Sequence, residues 1–341
     1  MPRIHRPLVL AFLCIILSIT GGRLRAQPAK LAHDLIVCAS MTRDFTIGSR
    51  TTRDSGLFFI ENRTTPRHFG FNHPRQDAVV ADPRDRNILY TVGLNGVLGS
   101  RDNGATWRIL TSWDMTEPKD IAIDPNQPDH LYIGLPDGIG VSHDAGETWT
   151  RMDDGIPRKY TQTLAVDRSR AGRVIAGTEK GIYLSEDGAV HWTLVQAADA
   201  TVTDLDQSPH DPAVFMATTQ VDGVLMSRDG GRSWGQLPGT KSGFTLYNGD
   251  FDATDPNRLA ICGWIQGVQV SEDGGKTWSQ RNEGLPNTNV WKIGVDPDIA
   301  GRLYASPHQE AVYISDDFGR SWRPGFFEGA VVWDFAFLPS R

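Results

Sequence analysis

The eight residues Ser142-His-Asp-Ala-Gly-Glu-Thr-Trp149 decide the fold, because six copies of this pattern follow one another along the chain. The general form is Ser-x-Asp-x-Gly-x-Ser/Thr-Trp. The copies end at Trp107, Trp149, Trp192, Trp234, Trp278 and Trp322, at intervals of 42, 43, 42, 44 and 44 residues. Repeats of this length that each hold four short strands are typical of the blades of a β-propeller.

Each copy is predicted to form a tight turn. An Asp side chain accepts hydrogen bonds from nearby backbone N–H groups, Gly adopts the positive φ that closes the turn, and Trp fills space between neighbouring sheets. The third copy departs from the pattern, since Ala189 stands where the others have Gly and His191 replaces Ser or Thr. We therefore expect that turn to be the most distorted of the six.

The two ends of the chain supply the strands of one further blade. Residues 35–72 contain three strand-like runs, and residues 331–339 form a single apolar run at the other end. Residues 27–341 divided among seven blades give 45 residues each, which matches the interval between copies. The sequence thus predicts an all-β chain: one seven-bladed β-propeller over residues 27–341, with the N-terminal and C-terminal strands sharing one blade.

The first 26 residues have the composition of a secretory signal. Arg3 and Arg6 precede a nearly continuous apolar run over residues 8–19, and small residues follow it. This predicts a signal peptide over residues 1–26 and a periplasmic or secreted protein, with no membrane span after its removal. Cys38 and Cys262 fall on blades that are not neighbours, so both are expected to be small buried apolar side chains rather than a disulfide.

Charge argues against nucleic acid as a partner. The chain has a formal net charge of −7, and its first 26 residues carry four Arg and no acid. A nucleic-acid-binding protein needs a basic face. The sequence also lacks the spaced His, Cys and acidic ligands of common metal sites, so no cofactor or metal is expected.

The recurring pattern resembles the Asp box, or BNR repeat, of sialidases, xyloglucan-degrading hydrolases, sortilin-type receptors and photosystem II stability and assembly factors. In that superfamily the box lies at the turn between the third and fourth strands of a blade, on the side opposite the ligand. The resemblance therefore implies structural rather than catalytic roles for the six box carboxylates, which are Asp102, Asp144, Asp187, Asp229, Asp273 and Asp317.

Aromatic and polar residues gather in the loops that should form the opposite face. Such residues hold sugar rings and protein loops alike. The candidate ligand-face residues are Trp113, Tyr160, Tyr247, Trp264, Trp291, His308, Glu310 and Trp333. Alternatively, Trp291 and Trp333 only plug the central channel.

Two acids stand out on the predicted inner strands. Asp206 and Asp250 take the position that other blades give to Ala122, Ala165 or Gly294. Neighbouring carboxylates raise one another's pKa, as general acid–base catalysis requires, so this pair is a candidate catalytic site. Alternatively, both acids bind water or backbone N–H groups.

Two functions follow from these patterns. The first is an exported, monomeric, non-catalytic scaffold that binds a protein partner, resembling the photosystem II assembly factors. The alternative is a glycoside hydrolase or lyase that acts on an extracellular glycan. The resemblance to xyloglucan hydrolases implies two propellers with a cleft between them, whereas this chain has one, and the arginine motif of sialidases has no match here.

Overall fold

The computed structural model describes residues 31–41, 54–198, 200–241 and 243–340. The predicted signal peptide lies outside these residues. Within them the chain forms strands and no helix, so no helix is available to span a membrane. Twenty-eight strands form seven four-stranded sheets.

The strands are numbered in chain order and the sheets are called blades. Blade 7 contains β1 (His33–Met41), β2 (Gly56–Glu61), β3 (Thr65–Phe69) and β28 (Ala330–Pro339). Blade 1 contains β4 (Gln76–Ala81), β5 (Leu89–Gly93), β6 (Gly96–Ser100) and β7 (Arg108–Ile109). Blade 2 contains β8 (Asp120–Ile123), β9 (Leu131–Leu135), β10 (Gly138–Ser142) and β11 (Thr150–Arg151). Blade 3 contains β12 (Thr161–Val166), β13 (Val174–Thr178), β14 (Gly181–Ser185) and β15 (Thr193–Ala197).

Blades 4 to 6 repeat the same order. Blade 4 contains β16 (Val202–Gln207), β17 (Phe215–Thr219), β18 (Val224–Ser227) and β19 (Gly235–Gln236). Blade 5 contains β20 (Leu246–Phe251), β21 (Leu259–Gly263), β22 (Gly267–Ser271) and β23 (Ser279–Gln280). Blade 6 contains β24 (Val290–Val295), β25 (Leu303–Pro307), β26 (Tyr313–Ser315) and β27 (Arg323–Pro324).

Blade 7 closes the ring as the sequence predicts. β28 pairs antiparallel with β1 along its length, with Leu35 opposite Phe337 and His33 opposite Pro339. The guanidinium of Arg63, just after β2, is buried and donates to Asp296 of blade 6 at 2.8 Å. Both ends of the described chain are therefore held in one sheet, and that sheet is tied to its neighbour by a buried ion pair.

The core lies between the blades rather than inside any one of them. Each hydrophobic cluster draws on facing sides of neighbouring sheets. Between blades 2 and 3, for example, Tyr132 and Val141 pack with Val174 and Trp192. A flat sheet buries its apolar faces only against other sheets, so the ring as a whole is the stable unit. The thiols of Cys38 and Cys262 are free and buried, as expected.

The predicted turns form with one regular set of hydrogen bonds. In the copy that ends at Trp149, Asp144 accepts from the Thr148 N–H at 2.8 Å and from the Thr148 hydroxyl at 2.6 Å. The Ser142 hydroxyl donates to the same carboxylate at 2.8 Å and accepts from the Gly146 N–H. The side-chain oxygens of Ser142, Asp144 and Thr148 are thus bonded within the turn, whereas the backbone of Ala145 bonds to Asp129 and Tyr90 outside it.

The expectation of a distorted third copy is wrong. Ala189 adopts a φ of 74° and its N–H donates to Ser185, as the Gly does in the other copies. The imidazole of His191 replaces the hydroxyl, with its Nδ1 2.8 Å from Asp187. The indole N–H of Trp192 donates to Met152 of the preceding blade rather than to its own turn, but Trp322 of a regular copy likewise donates to Arg281 of the preceding blade.

Candidate functional site

A cavity of ≈ 500 Å³ opens on the ring axis at the end of the inner strands opposite the box turns. Six of the seven inner strands carry a β-bulge near this end. The extra residue of every bulge lines the cavity, namely Asp77, Gln162, Thr203, Tyr247, Trp291 and Trp333. A bulge re-aims the side chain of its extra residue, which explains how a regular repeat presents six side chains of five types to one space.

One step deeper, the strand register brings seven residues to one level, which we call the polar ring. Its members are Ala78, Asp120, Thr163, Asp204, Asn248, Lys292 and Asp334. Several of them bond to the inner strand of the next blade. Asp120 accepts from the Leu164 N–H at 2.8 Å, and Asp204 accepts from the Gly249 N–H at 3.1 Å. These bonds satisfy donors on the channel-facing edge of inner strands.

Lys292 is the cation of the polar ring. Its ammonium lies 3.4 Å from Asp334, and both side chains are about one-fifth exposed. Burial alone would lower the pKa of Lys292, but the charges of Asp204, Asp334 and Asp120 outweigh that effect and raise it. Lys292 is therefore a permanent counter-ion for the surrounding carboxylates.

The carboxyl groups of the ring differ in how readily they ionise. Burial raises the pKa of Asp120 to about 7, and the negative charge of Asp204 adds to the rise. Burial also raises the pKa values of Asp204 and Asp334, but Lys292 opposes both rises. At neutral pH Asp120 is thus partly protonated, whereas Asp204 and Asp334 lie near the cation Lys292, which favours their ionised form. Acid–base catalysis requires such a pair of carboxyl groups with different protonation states.

Asp206 and Asp250 occupy matching levels on neighbouring inner strands, as the sequence alignment of the blades predicts. Asp250 accepts from the Val295 N–H of the next blade at 2.7 Å. Burial raises the pKa of both carboxyl groups, that of Asp206 to about 6. Neither residue lines the cavity, which is bounded instead by Asp120 and Asp204 of the level above. A catalytic role for Asp206 and Asp250 stays a prediction.

An aromatic cluster forms one wall of the cavity mouth. Tyr247 and Trp291 stack with centroids 4.4 Å apart, and Trp264 lies edge-on to Trp291 at 5.7 Å. The Trp291 indole N–H donates to His308 Nδ1 at 2.7 Å, which orients the ring. Trp333 continues the wall at 6.2 Å from Trp291. We call these five residues the aromatic wall.

The wall that adjoins the aromatic wall at Trp333 is polar. Arg75 stacks over Trp333 at 4.2 Å and pairs with Asp77 at 2.7 Å. Tyr160 lines this wall and donates to Gln162 at 2.6 Å. The cavity therefore offers an apolar surface and, adjoining it, hydrogen-bonding groups.

Four predicted ligand-face residues lie apart from the cavity lining. Trp264 and His308 contact Trp291 within the aromatic wall but do not border the cavity themselves. Glu310 forms a bridge with Ala330 beside the closing strand. Trp113 stands in the loop between blades 1 and 2 and is 88% exposed. A larger groove of ≈ 1010 Å³ runs beside the outer strands of blades 2 and 3, but it lacks both the aromatic wall and the polar ring.

The sequence reasoning missed Asp120, Lys292, Arg75 and Asp77. At the level of the polar ring the seven blades carry five residue types, and Asp occurs in only three of them, so no consensus residue marks the position. Each of these charged residues does lie at or just before an inner strand, where a charge is unusual. This unusual placement of charge was the signal in the sequence that could have identified them.

Comparison with known proteins places the chain in a class. A family model described as "Sortilin, neurotensin receptor 3" matches residues 137–262, and the BNR/Asp-box repeat model matches residues 269–280. Together with the seven closed blades, these matches define a propeller of the Asp-box class. The chain is a BNR-type seven-bladed β-propeller.

Curated relatives match only part of the chain. An oligoxyloglucan-reducing end-specific xyloglucanase of Emericella nidulans is 26% identical over 190 residues, which are 47% of this chain and 24% of that protein. A xyloglucanase of a Paenibacillus species is 32% identical over 142 residues, 40% of this chain and 12% of that protein. The chain thus spans about a quarter or less of these relatives.

Solved structures share the fold at low identity. The GH74 xyloglucanase from Xanthomonas campestris has a TM-score of 0.61 and 18% identity, covering 75% of this chain and 45% of that one. A structure described as YCF48 bound to D1 peptide has a TM-score of 0.55 and 19% identity, covering 75% of this chain and 87% of that one. At this identity the likeness concerns the fold alone.

Proposed function

We propose that this propeller is a glycoside hydrolase that binds a neutral polysaccharide in the axial cavity. One observation carries the proposal: the aromatic wall stands over a ring of carboxyl groups with unequal pKa values, inside a cavity of ≈ 500 Å³. Aromatic rings bind the apolar faces of sugars, and two carboxyl groups are the usual catalysts of glycoside hydrolysis. The xyloglucanase relatives support the same class of substrate.

The charges of the cavity lining favour a neutral ligand. The charged groups that line it are the acids Asp77, Asp120, Asp204 and Asp334 and the bases Arg75, Lys119 and Lys292. Because Asp120 is half protonated near pH 7, the two signs nearly balance. Strongly charged glycans would gain little attraction here, whereas neutral sugars bind by stacking and hydrogen bonding.

In the proposed reaction Asp120 is the general acid. Its raised pKa keeps a proton available at neutral pH, which it donates to the oxygen of the departing sugar. Asp204 is the second carboxylate and acts as general base. It takes a proton from a water molecule, whose oxygen bonds to the anomeric carbon as the bond from that carbon to the departing sugar breaks. Lys292 favours the ionised form of Asp204, so the two carboxyl groups hold different protonation states.

A panel of neutral β-glucans and xyloglucan, scored for reducing ends, tests the proposal. The native protein should release reducing ends from at least one polymer. Asp120→Asn should lower kcat by at least about 10²-fold, as expected for loss of general acid catalysis. Asp250→Asn should retain most activity. Asn248 occupies the equivalent ring position in blade 5, so Asn is compatible with this site. Binding and cleavage that both survive Asp120→Asn and Trp291→Ala would contradict the proposal.

A protein-binding scaffold is the second candidate. It is favoured by the similarity to YCF48, because the matched region covers 75% of this chain and 87% of that chain, so the two proteins share most of their length. An extended peptide could lie across the aromatic wall as a sugar chain would. Capture of a defined protein from the native compartment, blocked by Trp291→Ala, together with no response to any glycan, would select this function.

Export is part of both proposals. It is supported by the composition of residues 1–26 and by a similar structure, the extracellular domain of a protein described as a one component system from B. thetaiotaomicron, at a TM-score of 0.62 and 15% identity. Detection of the mature protein outside the cytoplasm, with its N-terminus determined by mass spectrometry, tests this directly.

A further inference from the structure

Trp113 is the most exposed large apolar side chain of the described residues, at 88%, and Ile109 at 55% is the next. Single exposed apolar side chains are common on protein surfaces, but an indole presents a large flat face that a ligand can cover. The other Trp residues of the described chain are at least partly buried. Among the described Trp residues, Trp113 therefore has the indole face that is most accessible to a ligand.

The loop that carries Trp113 is anchored on both sides. Before it the Ser112 carbonyl accepts from the Met115 N–H at 3.1 Å, and the Met115 side chain is buried in the core between blades 1 and 2. After it the Asp114 carbonyl accepts from the guanidinium of Arg151. Because its neighbours are fixed, Trp113 is held out from the surface rather than left at the end of a free segment.

The same loop reaches the axial cavity. It ends at Lys119, which lines the cavity just before β8. Lys119 stands six positions after Trp113, and a fully extended chain of six steps spans at most about 22 Å. Trp113 thus lies within the length of a few sugar residues from the cavity, on the face where the loops between blades emerge.

We propose that Trp113 is an outlying stacking platform for a polysaccharide that runs from the axial cavity across the boundary of blades 1 and 2. The ligand is then a polymer, not a short oligosaccharide that the cavity alone would hold. This inference depends on the proposed function, because it extends the ligand of the same cavity. It adds the prediction that Trp113 contributes to the affinity for long ligands and not to the affinity for short ones.

Binding measured against ligand length tests the platform. The probes are a polymer that the native protein binds in the panel above, starting with xyloglucan, and the shortest oligosaccharide of it that still binds. Trp113→Ala should weaken polymer binding by about tenfold, the factor that 1.4 kcal/mol represents, and leave the oligosaccharide affinity unchanged. Trp113→Phe should restore most polymer affinity because it keeps an aromatic face. Ile109→Ala, an exposed apolar change on the outer strand of blade 1, is the matched control and should change neither.

The possible results distinguish failure of the Trp113 platform from failure of the cavity assignment and of the glycan function. If Trp291→Ala abolishes binding but Trp113→Ala leaves polymer affinity unchanged, the platform is refuted and the cavity stands. If Trp113→Ala weakens polymer binding but Trp291→Ala does not, the polymer binds outside the cavity, and both the cavity assignment and the path proposed here are refuted. If no glycan binds the native protein, the glycan function fails and the platform fails with it.

Discussion

Replacing Asp120 by Asn should stabilise the protein at high pH and change it little at low pH. The pKa of this carboxyl is about 7 in the folded state, against 3.8 for an ordinary Asp. Between these values the unfolded chain ionises while the folded protein keeps its proton, so the free energy of unfolding falls as pH rises from about 4 to 7. Because Asn does not ionise, the variant does not lose free energy of unfolding over this pH range.

The size of the effect follows from the shift in pKa. One pKa unit corresponds to about 1.4 kcal/mol, so a shift of this size implies a loss of about 4 kcal/mol at pH 8. At pH 4 the loss is below about 1 kcal/mol, because the unfolded group is then only partly ionised. Asn gives up one of the two oxygens that accept from Ile121, Leu164 and Thr163, which costs about 1 kcal/mol at either pH.

Urea denaturation followed by tryptophan fluorescence measures this directly. The difference in free energy of unfolding between Asp120→Asn and the native protein should become more favourable to the variant by about 3 kcal/mol from pH 4 to pH 8. The same difference at both pH values would show that Asp120 ionises normally. Its assignment as the general acid would then lose its physical basis.

Three further predictions test other parts of the molecule. Arg63→Met leaves Asp296 buried without its partner and should lower the free energy of unfolding by about 3–5 kcal/mol, measured in urea; an effect below 1 kcal/mol would mean that the pair does not hold blade 7. Asp144→Asn should destabilise the protein above pH 4 and lose this effect as pH falls through about 2, because hydrogen bonds from Thr148 lower the pKa of Asp144 to about 2; thermal melts across that range would show the opposite trend to Asp120→Asn. Lys292→Met removes the cation that opposes the raised pKa values of Asp204 and Asp334, so the acid limb of the activity profile should move to higher pH; an unmoved limb would exclude these groups from the titration that controls activity.

The repeat made the fold predictable in detail. The spacing of the Trp residues gives the number of blades, and the placement of residues 331–339 beside β1 follows from counting strands. Even the register of Asp206 with Asp250 could be read, because the inner strands share a small residue at that level. Repetition works here because each blade must bury the same faces against its neighbours.

The cavity was harder to read because it is where the blades differ. A bulge adds one residue to an inner strand and shifts the alternation of sides, so counting along the strand from the regular part misplaces Trp291 and Lys292 relative to each other. At the third box turn the sequence predicted a distortion that the structure does not have. Ala189 tolerates a positive φ because the surrounding hydrogen bonds to Ser185 and Asp187 hold the backbone in place.

The pairing of β1 with β28 also determines how the ring resists force. His33 lies opposite Pro339 and Met41 opposite Ala330, so the outer ends of the two strands emerge side by side. Tension applied through these ends loads the hydrogen bonds one after another, as in a zipper, rather than all together. A propeller pulled by both ends should therefore open at this seam at a lower force than if the strands were sheared along their length.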